Sequence, residues 1–137
     1  MKRSLHILAD FYDCAGEAGV FTHKGRVRAK ALAMIRRAGF SIVASRFHKF
    51  AANPHGSAQR RAAERRTMAG EGGITGIIIV SESHLTIHTW PERRFVNFDV
   101  FFCNYTRDNT RKARAVFHEF RKIYRPARVK RREVWRD

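Results

Sequence analysis

The sequence predicts an α+β fold, a two-layer sandwich in which one antiparallel sheet carries two helices on one face. Two observations lead there. Strand-like and helix-like stretches follow one another in the order β-α-β-β-β-β-α-β, and each helical stretch has a single apolar stripe, enough to cover one sheet face. A third concerns the other face: several strands are apolar on both sides in places, so that face needs cover too. A second copy of the chain is the simplest cover, which predicts a homodimer. At 137 residues the chain makes a single domain, 1–137, that buries roughly two thirds of its unfolded surface.

The elements follow in order. Residues 4–12 alternate Leu5, Ile7, Ala9 and Phe11 against His6, Leu8, Asp10 and Tyr12, the period of a strand covered more fully on one side. Residues 15–25, with three glycines, read as a loop. From about Gly25 the apolar positions become Val27, Ala31, Met34, Ile35 and Ala38, backed by Arg26, Lys30 and Arg37. That is a helical face, and Gly39 is placed to end it. Phe40 to Phe50 returns to strand character, with Phe40, Ile42 and Ala44 on one side.

Residues 51–73 break the pattern. They hold Asn53-Pro54, the pairs Arg60-Arg61 and Arg65-Arg66, several glycines, and Met68 as the one sizeable apolar side chain. A segment of this length without a hydrophobic stripe predicts a basic, flexible insertion. Three strands then follow closely, at 74–80, 84–90 and 95–103, with Phe98, Val100 and Phe102 on one face. Asp108 or Asn109 can cap a second helix whose Ala113, Val116, Phe117, Phe120 and Tyr124 recur at helical spacing. Pro126 stops that helix, and 128–135 alternates weakly as an edge strand.

Composition narrows the function classes. The formal charge is +16, which invites a nucleic-acid reading. However, 21 of the 28 basic residues are arginine, spread over three regions without the aromatic interleaving of a base-stacking surface. An arginine-rich solvated exterior is the favoured reading, with salt-sensitive polyanion binding as the other. Cys14 and Cys103 are too few for a disulfide framework and lack metal-ligand spacing, so no metal is predicted and a reduced, cytoplasmic setting fits. The apolar run after Met1-Lys2-Arg3 is broken by His6 and Asp10 before a signal-peptide core could form, and no run approaches ~20 apolar residues, so no membrane span is expected.

The chemistry concentrates in Ser81-Glu82-Ser83-His84-Leu85-Thr86-Ile87-His88-Thr89-Trp90-Pro91-Glu92. Two serines, two acids and two histidines share these twelve residues, directly after the most apolar run of the chain, Ile77-Ile78-Ile79-Val80. A buried strand therefore delivers a polar, reactive turn. Glu82-Ser83 falls at the junction between strands, where backbone can be held under strain and a hydroxyl aimed at it. Ser83 and His88 taken alone are also ordinary turn and strand residues.

Read as SESHLTIHTWPE, this stretch closely resembles the processing segment of the bacterial-type S-adenosylmethionine decarboxylase proenzymes, small pyruvoyl-dependent enzymes of polyamine synthesis. The resemblance extends to His6 through Cys14 (HILADFYDC), Phe47-His48-Lys49-Phe50, Gly73-Ile74-Thr75-Gly76 and Asp99-Val100-Phe101-Phe102-Cys103, touching about two thirds of the chain. The 51–73 insertion departs from it, since the family's connection there is shorter.

The resemblance implies self-cleavage. Ser83 Oγ attacks the Glu82 carbonyl, an N→O acyl shift gives an ester, and β-elimination followed by hydrolysis leaves a β chain 1–82 and a pyruvoyl-capped α chain 83–137. His88 is implied as the base for the Ser83 α-hydrogen, a role that imidazole side chains suit near neutral pH. Thr75 stands where the family usually has serine. It keeps the hydroxyl that serves the oxyanion but adds a methyl, so slower processing is expected.

The covalent pyruvoyl group then replaces pyridoxal phosphate. Its ketone forms a Schiff base with the amine of S-adenosylmethionine and accepts the electrons released with CO₂. Cys103, twenty residues after Ser83, is implied as the proton donor, although a cysteine in a Phe-rich strand is otherwise a small buried hydrophobe. Phe50 is implied to stack on adenine and Glu92 to accept from the ribose hydroxyls; their plain readings are a core phenylalanine and a turn acid. Two other functions stay open: a pyruvoyl decarboxylase of ornithine or arginine, for which the insertion and Arg93-Arg94 leave room, and an inactive homologue or basic nucleic-acid-binding module.

Overall fold

The computed structural model describes residues 2–52, 68 and 71–137. The strands are β1 (Ser4–Cys14), β2 (Ile42–Lys49), β3 (Ile74–Val80), β4 (Ser83–Trp90), β5 (Phe95–Phe102) and β6 (Pro126–Arg136). The helices are α1 (Gly19–Thr22), α2 (Lys24–Arg37) and α3 (Thr110–Tyr124). All six strands form one sheet in the order β2-β3-β4-β5-β1-β6, and each neighbouring pair is antiparallel. The predicted α+β sandwich is the observed architecture.

Alternation sorts the side chains. Leu5, Ile7 and Phe11 of β1, Leu85 and Ile87 of β4, and Val96, Val100 and Phe102 of β5 are buried beneath the helices. The predicted stripes meet them: Val27, Ala31, Met34 and Ile35 from α2, and Ala113, Val116, Phe117, Phe120 and Tyr124 from α3. Phe98 stacks on Phe120 at 4.6 Å and Phe11 meets Phe117 edge-on at 5.8 Å. Each such ring contributes roughly 1.5–3 kcal/mol by burial.

Among the described residues, no helix covers the opposite sheet face. Leu8, Ile77, Ile79, Trp90 and Val134 remain exposed there.

Several boundaries differ from expectation. The 15–25 loop contains α1, because Val20 and Phe21 drive into the core and Phe21 packs edge-on against Tyr124 at 5.3 Å. Strand β2 starts at Ile42, since Phe40 closes α2 instead: its N–H donates to the Ile35 carbonyl at 3.2 Å, beside Gly39 at φ 84. A register shift between Ile42 and Ala44 then turns Phe47, not Ala44, into the core. The N-cap of helix α3 is Asn109, whose side chain makes no capping bond; Asp108 Oδ1, one residue earlier, accepts from the Thr110 N–H at 2.9 Å. The helix ends in left-handed Arg125, so Pro126 opens β6 rather than stopping α3. Most of the 51–73 insertion lies outside the described residues, although Met68 joins the core.

Candidate active site

Val80 pairs with Ser83, which leaves Ser81 and Glu82 as a two-residue turn. Hairpins this tight favour glycine or asparagine, because their backbone needs positive φ. This one has neither, and the positive angle falls on Ser83 at φ 142. A β-carbon in that region costs about 1–3 kcal/mol. The sheet enforces it, since Ser83 is paired on both sides, to Val80 and to Phe102.

Three groups address the Glu82–Ser83 link. The Cys103 N–H donates to the Glu82 carbonyl oxygen at 2.8 Å. Arg107 Nη2 lies 2.8 Å from Glu82 Oε1, while Glu82 Oε2 is buried with no partner among the described residues. Ser83 Oγ sits 3.1 Å from His84 Nδ1. Cys103 is fixed from its other side as well, because its carbonyl accepts from Asn109 Nδ2 at 2.8 Å. Its thiol is free and half-buried. The other cysteine is different in kind: Cys14 is fully buried, and burial pushes its thiol up to about 12, against the opposing pull of Arg94.

A second cluster occupies the far end of β4. Thr75 pairs with His88 across β3 and β4, and Thr75 Oγ1 lies 3.0 Å from His88 Nδ1. Beside them is a cleft of about 540 Å³ whose lining includes Phe50, Thr75, His88, Trp90 and Glu92. Gly72 and Gly73 also line it. A β-carbon on Gly73 would fall 2.0 Å from the Thr89 carbonyl oxygen, and one on Gly72 would collide equally with the Phe50 carbonyl. Only glycine lets the chain lie this close. Phe50 is 51% exposed, an aromatic face open to the cleft rather than a core residue.

A family model described as S-adenosylmethionine decarboxylase matches residues 5–137. The chain belongs to that family. Among named S-adenosylmethionine decarboxylase proenzymes, that of Clostridium kluyveri is 36% identical over 98 residues, covering 72% of this chain. The Persephonella marina protein is 34% identical over 125 residues, covering 91% of this chain and 75% of its own length. The match spans 61% of the Clostridium kluyveri protein's length. The crystal structure of the adenosylmethionine decarboxylase from Aquifex aeolicus superposes with a TM-score of 0.73 at 23% identity, over 97% of this chain and 89% of that one. The family resemblance read from residues 81–92 is borne out.

In this member of the decarboxylase family, the residues singled out from sequence fall into two groups. Glu82, Ser83 and Cys103 meet at the turn end of β4. Thr75, His88, Phe50 and Glu92 meet at the cleft end. Ser83 and His88 stand five positions apart on one strand, roughly 16 Å at about 3.3 Å per residue, so one chain does not bring the two together. Sequence reasoning gave no role to Arg107, His84 or Asp99. Arg107 lies in a loop with no motif. His84 and Asp99 could have been found from alternation, which puts both on the open face of the sheet.

Proposed function

We propose that this chain is a proenzyme that cuts itself between Glu82 and Ser83 and then, with a pyruvoyl group made from Ser83, decarboxylates S-adenosylmethionine. The observation that carries the reading is the Glu82–Ser83 link: a serine at positive φ whose preceding carbonyl already accepts an N–H. Attack by Ser83 Oγ relieves the strained peptide, and the Cys103 N–H stays in place for the charge that develops on the Glu82 oxygen. Ejection of the new ester requires a base for the Ser83 α-hydrogen, the role given to His88, which the Thr75 hydroxyl orients.

His88 must then come from a second copy. A twofold pairing of open sheet faces, running the strands of one chain against those of its partner, sets the turn end of one β4 beside the cleft end of the other. It also covers the exposed Leu8, Ile77, Ile79 and Trp90. The working unit is thus a homodimer with two composite sites.

In the finished enzyme, the pyruvoyl ketone supplies an electron sink for loss of CO₂. Phe50 offers its exposed ring to the adenine and the sulfonium, and Glu92 accepts from the ribose hydroxyls. The Cys103 thiol returns a proton to the carbon that lost CO₂. The product serves as an aminopropyl donor for spermidine synthesis, a cytoplasmic pathway. Among the described residues no helix is long and apolar enough to cross a membrane. The names carried by the relatives favour S-adenosylmethionine over ornithine or arginine.

The reading is tested by measuring ¹⁴CO₂ release from carboxyl-labelled S-adenosylmethionine, ornithine and arginine with purified protein. Release from S-adenosylmethionine alone is expected. Release only from a basic amino acid would reassign the substrate, and release from none would end the enzymatic reading.

A further inference from the structure

Ser83 needs a base before it can attack, and His88 lies at the wrong end of its own strand. The side chain that touches the hydroxyl is His84, with Nδ1 3.1 Å from Ser83 Oγ. On the opposite edge of the imidazole, His84 Nε2 lies 3.4 Å from Asp99 Oδ1. Asp99 is itself held from two sides: Thr86 Oγ1 donates to Oδ2 at 2.7 Å, and His6 Nε2 lies 3.4 Å from Oδ1. Register explains the grouping, because His84 pairs with Phe101 and Thr86 with Asp99 on β5, while His6 pairs with Phe101 from β1. All four polar side chains therefore point from the same sheet face. No other charged group faces the imidazole from β3, where Ile79 is its partner; on the β6 side, Arg136 lies over the Phe101 ring at 4.6 Å.

We propose that His84 is the catalytic base for the first step of processing, in cis, with Asp99 as the residue that positions it and balances its charge. The inference rests on the self-cleavage reading and assigns its unassigned step. His84 Nδ1 takes the Ser83 hydroxyl proton as Oγ bonds to the Glu82 carbonyl carbon. The carbonyl π electrons move to the oxygen, which the Cys103 N–H receives. The tetrahedral centre then collapses: the Glu82 C–Ser83 N bond breaks, and the imidazolium delivers the same proton to the departing nitrogen. An amide and a hydroxyl have become an ester and an amine, with no co-reactant. During transfer the imidazolium faces the Asp99 carboxylate, the arrangement that stabilises a serine–histidine pair elsewhere. His84 and His88 thus serve successive steps, one from each chain.

The two steps are separable by blocking the second. In H88A, elimination cannot follow, so the ester accumulates and hydroxylamine cleaves it into residues 1–82 as a hydroxamate and a fragment with a free amine at Ser83. Adding H84N to H88A keeps an amide near the Nδ1 position, able to hold the hydroxyl but not to take its proton. The rate of hydroxylamine-sensitive ester formation, followed by mass spectrometry, is expected to fall 10²–10⁴-fold in the double variant. The limb of that rate that rises with pH in H88A should vanish. D99N should slow the step in H88A and add nothing in H84N/H88A, whereas a purely structural aspartate would cost both backgrounds alike. An H84N/H88A rate equal to that of H88A would overturn the proposal while leaving self-cleavage intact. So would abolition of ester formation by EDTA with recovery on Zn²⁺, since His6, His84 and Asp99 would then hold a cation instead. Absence of any ester or cleavage in the wild-type chain would mark failure of the underlying reading rather than of His84.

Discussion

The backbone N–H of Cys103 stands 2.8 Å from the carbonyl oxygen of Glu82. That contact joins the end of β5 to the β3–β4 turn and gives Cys103 two separate assets: a main-chain donor at the proposed cleavage site and a thiol beside it. Substitution removes only the second. C103A is therefore expected to cleave at the wild-type rate yet lose decarboxylation by 10²–10⁴-fold in kcat, measured by gel and by CO₂ release on one preparation. Loss of cleavage together with turnover would tie both functions to the thiol.

The proposed division of the site between two chains makes a genetic prediction. S83A and H88A should each remain uncut when expressed alone. Co-expressed with distinguishable tags, the H88A chain should be cut, because its Ser83 then meets an intact His88 from its partner. Cleavage of H88A alone at the normal rate would remove the composite site.

Backbone strain at Ser83 predicts an unusual order of stabilities. Glycine tolerates φ 142 and alanine does not, so S83G should be more stable than S83A by about 1 kcal/mol, read as a higher midpoint in urea. Elsewhere in a strand glycine would be the weaker residue. The usual order would show that the turn relaxes without cost.

Arg107 neutralises a Glu82 side chain that is only 16% exposed. R107A should lower stability by about 1–2 kcal/mol, the low end of the range for orphaning a buried charged group, because Arg107 itself is half exposed. Adding E82Q should recover most of the loss. No recovery would mean that Arg107 acts through other contacts.

Cys14 gives the pH dependence a definite sign. Its thiol is raised by burial from 9.0 to about 12, so above pH 9 the unfolded chain ionises while the native one does not. The stability from this group is whole below pH 9 and is lost up to about pH 12, at about 1.4 kcal/mol per pH unit. C14A should show a shallower decline in alkaline denaturation. At pH 8, iodoacetamide should label Cys103 and spare Cys14.

Much of this was legible in the chain. Period-two alternation fixed which side of β1, β4 and β5 is buried, and helical spacing at Ala113 through Tyr124 found the whole face of α3. What stayed hidden depends on contacts between distant residues. Phe40 reads as strand until its N–H is seen closing α2, and α1 is invisible without Tyr124 for Phe21 to lean on. At the site, the twelve-residue motif exposed Ser83 and His88 but not their separation, because sequence proximity conceals an extended strand between them. Arg107 reaches Glu82 across 25 positions, and no local pattern could announce it.

The most direct test is the mass of the purified wild-type protein, with and without borohydride or a hydrazine. Two chains are predicted, 1–82 and 83–137, the second with no free α-amine at residue 83 and carrying one ketone that takes up hydride or hydrazine. One uncut chain of 137 residues with an ordinary serine at position 83 and nothing to trap would contradict the account.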